Sequence, residues 1–248
     1  MLRIIGATDK GLVREVNEDR FAGEVFSPDL AYGVVCDGMG GENAGSVASA
    51  IACEEIRRLL ESSCRRGMDE KSVYHLLEIA VATANAMVYD KAQQNPENMG
   101  GMGTTVCLAV VSGNTAYVTN VGDSRVYLLR GEELTPLTVD HTVTQMLLDQ
   151  GEITREEARG HEGRHYLTKA VGIGRTVDPA YGRAALQDGD LLLLCSDGLY
   201  NMVPAPEICR LARKAAAEDD GSLLIEEANR RGGRDNITAV MIGYGKGE

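Results

Sequence analysis

The grouping of hydrophobic periodicities is what most restricts the fold of this 248-residue chain: strand-like runs come in blocks, and helix-like stripes come in pairs. Residues 3–7, 21–26 and 30–36 open the chain as short apolar or alternating runs. Two amphipathic stripes follow. The first carries Ala44, Val47, Ala48, Ile51, Ala52, Ile56 and Leu59; the second runs from Val73 through Leu77, Val81 and Ala84 to Val88. Both keep the three-and-four spacing of a helix with one apolar face, so each must cover something. Asn95-Pro96 and the glycines at 100, 101 and 103 stop the second stripe.

Residues 104–111, 115–121 and 125–129, separated by turn signals and closed by Arg130-Gly131, read as an antiparallel meander. Strand character returns at 190–195, helices at about 206–217 and 222–230, and a β-branched strand at 237–244. Strands in blocks and helices in pairs give an α+β architecture with helices stacked on antiparallel sheets. Residues 138–180 break the pattern. They are polar, carry three of the four histidines and hold one short helical stretch, and read as a flap projecting from the sheet. No linker or internal repeat divides the chain, so a single domain over 1–248 is expected.

Composition excludes several classes of function. Hydrophobic residues at 44% with 25% charged describe a chain that folds around a core. A net charge of −12 repels phosphate backbones, and the absence of Trp removes a base-stacking platform, so no nucleic-acid partner is expected. The longest apolar run, residues 191–195, falls far short of the ~20 residues a membrane helix needs, and the N-terminal apolar stretch is too short for a secretory signal. The six cysteines form no C-x-x-C pair and sit mostly in apolar runs, as buried thiols of a soluble, cytoplasmic protein do.

Chemistry is signalled by where the carboxylates fall. Residues 32–36 run into Asp37-Gly38, and residues 191–195 into Ser196-Asp197-Gly198. Arg234-Asp235-Asn236 stands just before the last strand, Gly122-Asp123-Ser124 interrupts the meander, and Asn17-Glu18-Asp19 precedes residues 21–26. Any one Asp-Gly also reads as a plain turn. Five acidic groups in strand-edge settings shift the balance toward a site. Without Cys/His ligand pairs, converging carboxylates suit hard cations such as Mg²⁺ or Mn²⁺, which would also relieve their repulsion.

The series Thr8-Asp9-x-Gly11-x-x-Arg14-x-x-Asn17-Glu18-Asp19, Asp37-Gly38-Met39-Gly40-Gly41, Gly103-Thr104-Thr105, Gly122-Asp123-Ser124-Arg125, Ser196-Asp197-Gly198 and Asp235-Asn236-Ile237-Thr238 resembles the ordered motifs of the type 2C protein phosphatases. These are the metal-dependent PPM serine/threonine phosphatases, and the match spans residues 8 to 240. The flap, from Asp140-His141-Thr142 to residues 167–172, resembles the stand-alone bacterial members.

The resemblance implies a central antiparallel β-sandwich flanked by helix pairs on both faces, in α-β-β-α layers, with two Mn²⁺ or Mg²⁺ ions at one end. It implies that Asp37 bridges both ions, that Asp197 and Asp235 complete the first site, and that the Gly38 carbonyl binds the second. Glu18 would reach the second ion through water, Asp19 would orient metal-bound water from behind the ligands, and Asp123 with Asp197 would hold a third, weaker ion. Arg14 would clamp the substrate phosphate.

The reaction implied is hydrolysis of phosphoserine and phosphothreonine by direct attack of metal-activated water. Phosphorylated proteins would be the substrates, a cognate Ser/Thr kinase the opposing enzyme, and a monomer the working form. Met39 stands where many eukaryotic members have the His linked to leaving-group protonation, and Met donates no proton. The general acid is then water at the metals or a flap histidine, His141, His161 or His165. Two other readings compete: a pseudophosphatase that binds phosphoproteins without turnover, and a hydrolase of small phosphoesters.

Overall fold

The computed structural model describes residues 1–41, 44–158 and 160–245, which leaves one flap position, 159, outside the described residues. The chain opens with β1 (Leu2–Asp9), β2 (Asp19–Ser27) and β3 (Leu30–Met39), followed by α1 (Ala44–Ser63) and α2 (Glu70–Gln94). The Asp69 carboxylate accepts a hydrogen bond from the Ser72 N–H at 2.8 Å and caps the start of α2. Its far end meets Pro96, which begins the one-turn α3 (Pro96–Met99). Next come β4 (Gly103–Thr104), β5 (Val106–Ser112), β6 (Thr115–Val121), β7 (Arg125–Arg130) and β8 (Glu133–Pro136). Residues 138–180, the segment expected to form a flap, contribute α4 (Val143–Asp149), α5 (Arg155–Ala158) and a 3₁₀ turn at Glu162–His165. The chain closes with β9 (Ala180–Ala185), β10 (Asp190–Cys195), α6 (Asp197–Tyr200), α7 (Ala205–Glu218), α8 (Ser222–Arg230) and β11 (Ile237–Tyr244).

Two antiparallel sheets result, ordered β1-β11-β10-β7-β8 and β2-β3-β5-β6-β9, with β4 paired to the end of β3. Three apolar layers hold them. Between the sheets lie Val35, Ala109, Val118, Leu192, Leu194 and Val240. On the outer face of the second sheet, Val34 and Leu108 meet Ile56, Leu60, Leu77 and Val81 from α1 and α2. On the outer face of the first, Leu193 and Met241 meet Ile208, Ala212 and Leu224 from α7 and α8. Burial on both faces explains why β10 and β11 read as continuous apolar runs instead of alternating ones. The expected α-β-β-α layering is the one observed.

One expectation is corrected. Residues 104–129 do not form a single meander: β5 pairs with β6, whereas β7 pairs with β10 and β8 in the opposite sheet. The chain changes sheets at Gly122-Asp123-Ser124, where Gly122 has φ +96°, a left-handed conformation that a side chain would strain. The crossover delivers Asp123 to the sandwich end. Two strands had no clear sequence signal: β8 is four residues long, and β9, Ala-Tyr-Gly-Arg-Ala-Ala, is an edge strand of small and polar residues.

Candidate active site

Four chain segments far apart in sequence end at the same edge of the sandwich. Asp19 and Asp37 are cross-strand partners at the ends of β2 and β3. Asp197 opens α6 directly after β10, Asp235 lies just before β11, and Asp123 occupies the crossover. A cleft of about 650 Å³ at this edge is lined by Arg14, Glu18, Asp37, Gly38, Asp123, Asp197 and Asp235. Of the predicted residues, Asp19 alone stands behind the wall. It is 1% exposed, and one carboxylate oxygen accepts from the Ser196 and Thr238 hydroxyls, both at 2.7 Å.

Backbone contacts hold Asp37 and Glu18 in place. The Asp37 carbonyl accepts from the Thr105 N–H at 2.8 Å and from the Thr104 hydroxyl at 2.9 Å. The Asp37 N–H donates to the Thr105 hydroxyl at 3.0 Å, and that hydroxyl shares a hydrogen bond with Ser124 at 2.7 Å. Gly38 leaves no room for a side chain, since a Cβ there would lie 2.2 Å from the Gly45 carbonyl oxygen. The close approach brings the start of α1 against the cleft, and the Ser46 N–H donates to Glu18 Oε1 at 3.2 Å. Arg14, about half exposed, is paired with Asp235 at 2.8 Å.

Burial and mutual repulsion raise four of the acids, Asp19, Asp37, Asp123 and Asp197. Burial pushes Asp37 well above the usual carboxylate range, and Asp19, Asp197, Asp123 and Asp235 add to the rise. Asp197 is raised for the same reasons, with Asp123 and Asp235 its nearest repulsive neighbours. Burial carries Asp123 to about 6, reinforced by Asp140. Asp19 also reaches about 6 by burial, against the pull of its two hydroxyl donors. Such strain among buried acids is the signature of a site built for positive charge.

The donor set fits a hard divalent ion. Every donor group is an oxygen, the carboxylates destabilise one another, and the second oxygen of Asp19 is buried without a partner. Among the described residues, no three acidic, His or Cys side chains close into a cage.

Residues 13–222 match the family described as protein phosphatase 2C. The chain is 36% identical over 239 residues to the serine/threonine phosphatase stp of Listeria welshimeri, covering 95% of this chain and 93% of that protein. The chain belongs to the protein phosphatase 2C family. Among solved structures, serine/threonine phosphatase Stp1 from Staphylococcus aureus superposes with a TM-score of 0.88 at 33% identity, over 100% of this chain and 96% of that one. The catalytic domain of the phosphatase PstP in complex with two manganese ions superposes with a TM-score of 0.85 at 35% identity, over 99% of each chain.

Several residues that matter in this protein phosphatase 2C domain carried no assigned role in the sequence reading. Asn236 is 5% exposed; its Oδ1 accepts from the Glu18 N–H at 2.8 Å, and its Nδ2 donates to the Lys10 and Val16 carbonyls, both at 2.9 Å. One side chain thus staples the loop bearing Arg14 and Glu18 to the start of β11. Thr105 does the same for Asp37. Both stand within the matched motifs, but their partners lie up to 226 residues away, which no local pattern reveals. The flap histidines separate: His165 lines the cleft with Tyr166 and Leu167, His141 accepts from the Gly122 N–H at 3.2 Å, and His161 bonds within the flap.

Proposed function

We propose that this chain is a metal-dependent protein serine/threonine phosphatase, acting on phosphoserine and phosphothreonine in proteins. The observation that carries the reading is the convergence of Asp37, Asp123, Asp197 and Asp235 with Arg14 in one cleft, where Asp37, Asp123 and Asp197 are held above their ordinary values by desolvation and by one another. The relatives named serine/threonine phosphatases, and the neighbour that holds two manganese ions, support it.

Mn²⁺ or Mg²⁺, when bound, supplies Lewis acidity that activates water and offsets charge on the phosphoryl oxygens. Asp37 would hold two ions at once, Asp197 and Asp235 the first, and the Gly38 carbonyl the second, with Glu18 reaching it through water. A third, weaker ion would belong to Asp123 and Asp197. Asp19, fixed by Ser196 and Thr238, orients water from behind the wall. Arg14 leaves Asp235 to form a charged fork on the substrate phosphate. Met39 lines the cleft and donates no proton. His165 is the flap histidine at the cleft, but burial and then Arg164 hold it below its ordinary value, so near neutrality it is mostly uncharged. Water in the cleft therefore protonates the leaving alkoxide. The reading extends to residues 138–180 as a flap over one chain-long domain, to a cognate Ser/Thr kinase as opposing enzyme, and to a cytoplasmic monomer. Among the described residues no helix is long and apolar enough to cross a membrane.

The test is hydrolysis of para-nitrophenyl phosphate and of a phosphothreonine peptide with Mn²⁺, with Mg²⁺ and with EDTA. Activity restored by Mn²⁺ and abolished by EDTA is the expected result. Folded protein that binds the phosphopeptide but turns over neither substrate would make it a pseudophosphatase.

A further inference from the structure

Behind the Asp123 end of the cleft, outside the predicted ligand set, lies an arginine whose guanidinium meets three side chains. Arg125 opens β7 immediately after the sheet crossover. Its guanidinium grips Asp140 with both oxygens, Nε to Oδ1 at 2.8 Å and Nη2 to Oδ2 at 2.6 Å. Nη1 donates to the Tyr127 hydroxyl at 2.9 Å, and the guanidinium carbon sits 3.6 Å from the centre of the Tyr200 ring. Tyr200, three residues beyond Asp197 in α6, donates its hydroxyl to the Asp123 carbonyl at 3.0 Å. Asp140 begins the flap stem, a short ladder in which the His141 N–H donates to the Gly122 carbonyl at 2.9 Å, Thr168 N–H to His141 O at 2.8 Å, and Val143 N–H to Tyr166 O at 2.9 Å.

These contacts use everything a planar guanidinium offers and a lysine lacks: a two-point fork in one direction and a flat face in the other. We infer that Arg125 is a positioning residue that fixes the flap stem, the Asp123 crossover and the Asp197 turn relative to one another, so that ion retention at Asp123 and the order of the flap stem depend on the same side chain. Asp140 supplies the flap arm and Tyr200 the cleft arm. The two arms meet at Arg125, next to the hydrogen bonds that tie His141 to Gly122. The ion arm rests on the metal-dependent reading proposed above; the flap arm does not.

The experiment compares wild type with Arg125→Ala, Arg125→Lys, Asp140→Asn and Tyr200→Phe by two readouts. One is hydrogen exchange of the His141, Val143 and Thr168 amides in metal-free protein; the other is Mn²⁺ binding by calorimetry. Losing a bidentate charged pair should speed exchange at the three amides about tenfold in Arg125→Ala and weaken the weakest Mn²⁺ step about tenfold. Arg125→Lys should behave like Arg125→Ala, since a point charge replaces neither fork nor stack. Tyr200→Phe keeps the ring, so it should leave flap exchange at the wild-type rate and weaken only the Mn²⁺ step. Asp140→Asn should speed flap exchange and, through Arg125, also weaken that step.

Arg125→Ala with both readouts at wild-type values, or Arg125→Lys restoring both, overturns the inference. If Arg125→Ala does not fold, Asp140→Asn and Tyr200→Phe decide it; Asp140→Asn with an unchanged isotherm would refute the coupling. Wild type that binds no Mn²⁺ sinks the functional reading and the ion arm together, while exchange in the metal-free protein still decides the flap arm.

Discussion

Stripped of divalent ions, this protein should gain stability on mild acidification, the reverse of the usual response. Burial raises Asp19 and Asp123 to about 6, whereas an unfolded chain restores them to about 3.9. A carboxyl whose folded value lies above its unfolded one binds its proton more readily in the native state, so stability rises as pH falls through the window from about 6 to 4. Between pH 7.5 and 5.0 each such group contributes ~1.4 kcal/mol, about 3 kcal/mol for the pair. Asp37 and Asp197, also raised by burial and repulsion, act in the same direction. Surface acids held low, such as Glu227 at about 2 beside Arg230 and Arg231, lose their contribution at lower pH, below this window.

For a domain of this size the pair corresponds to a rise in Tm of roughly 6–10 °C. The assay is thermal unfolding in EDTA and in excess Mn²⁺ across that range. The metal-loaded protein should show the opposite slope, because protons compete with the ions for the same carboxylates. The two profiles should draw together as pH falls. Asp19→Asn should remove about 1.4 kcal/mol of the metal-free gain, its own titration being gone. Because burial also holds His141 and His165 below their ordinary value, which opposes the gain over the same range, the deciding comparison is wild type against Asp19→Asn: no difference between their metal-free gains would refute the account of these acids as raised by burial.

Asp37→Ala and Asp197→Ala should each lower kcat by roughly 10³-fold or more at any Mn²⁺ concentration, since no neighbouring oxygen can replace theirs; near-wild-type turnover in either would remove that residue from the site. Arg14→Ala should raise KM for the phosphothreonine peptide roughly 10–100-fold, the worth of a charged phosphate contact, while Mn²⁺ affinity at Asp235 stays the same or improves. Steady-state kinetics with calorimetry checks both halves. Asn236→Ala strands the Glu18 N–H and the Lys10 and Val16 carbonyls, so it should cost about 2–4 kcal/mol in urea unfolding. Its amides at residues 11–18 should exchange faster than those of the core strands; uniform protection would show that the staple is dispensable.

Much of the fold was legible because its signals are local. The stripe from Val73 to Val88 gave α2, Thr115–Val121, Asp190–Cys195 and Ile237–Tyr244 matched their strands, and Ser222–Arg230 its helix. Periodicity and turn chemistry are properties of neighbouring residues, and a buried face must repeat with the period of the element that presents it. The motif series was legible too, since strand-end acids followed by glycine are a short-range pattern.

Sheet membership was not. Residues 125–129 look the same whether β7 pairs with β6 or with β10, and the choice depends on Leu192 and Leu194 of β10, some 65 residues away, packing into the layer between the sheets. Edge strand β9 was invisible because one open edge demands little of its side chains. Within the site, the sequence determined which acids stand at strand ends. Only the tertiary structure decided that Ser196 and Thr238 are the groups that hold Asp19, that Asn236 and Thr105 hold the ligands' backbones, that Arg14 meets Asp235 across 221 residues, and that Arg125 joins the flap to the cleft. These contacts are set by where packed layers bring chain ends together, and packing is a property of the whole chain.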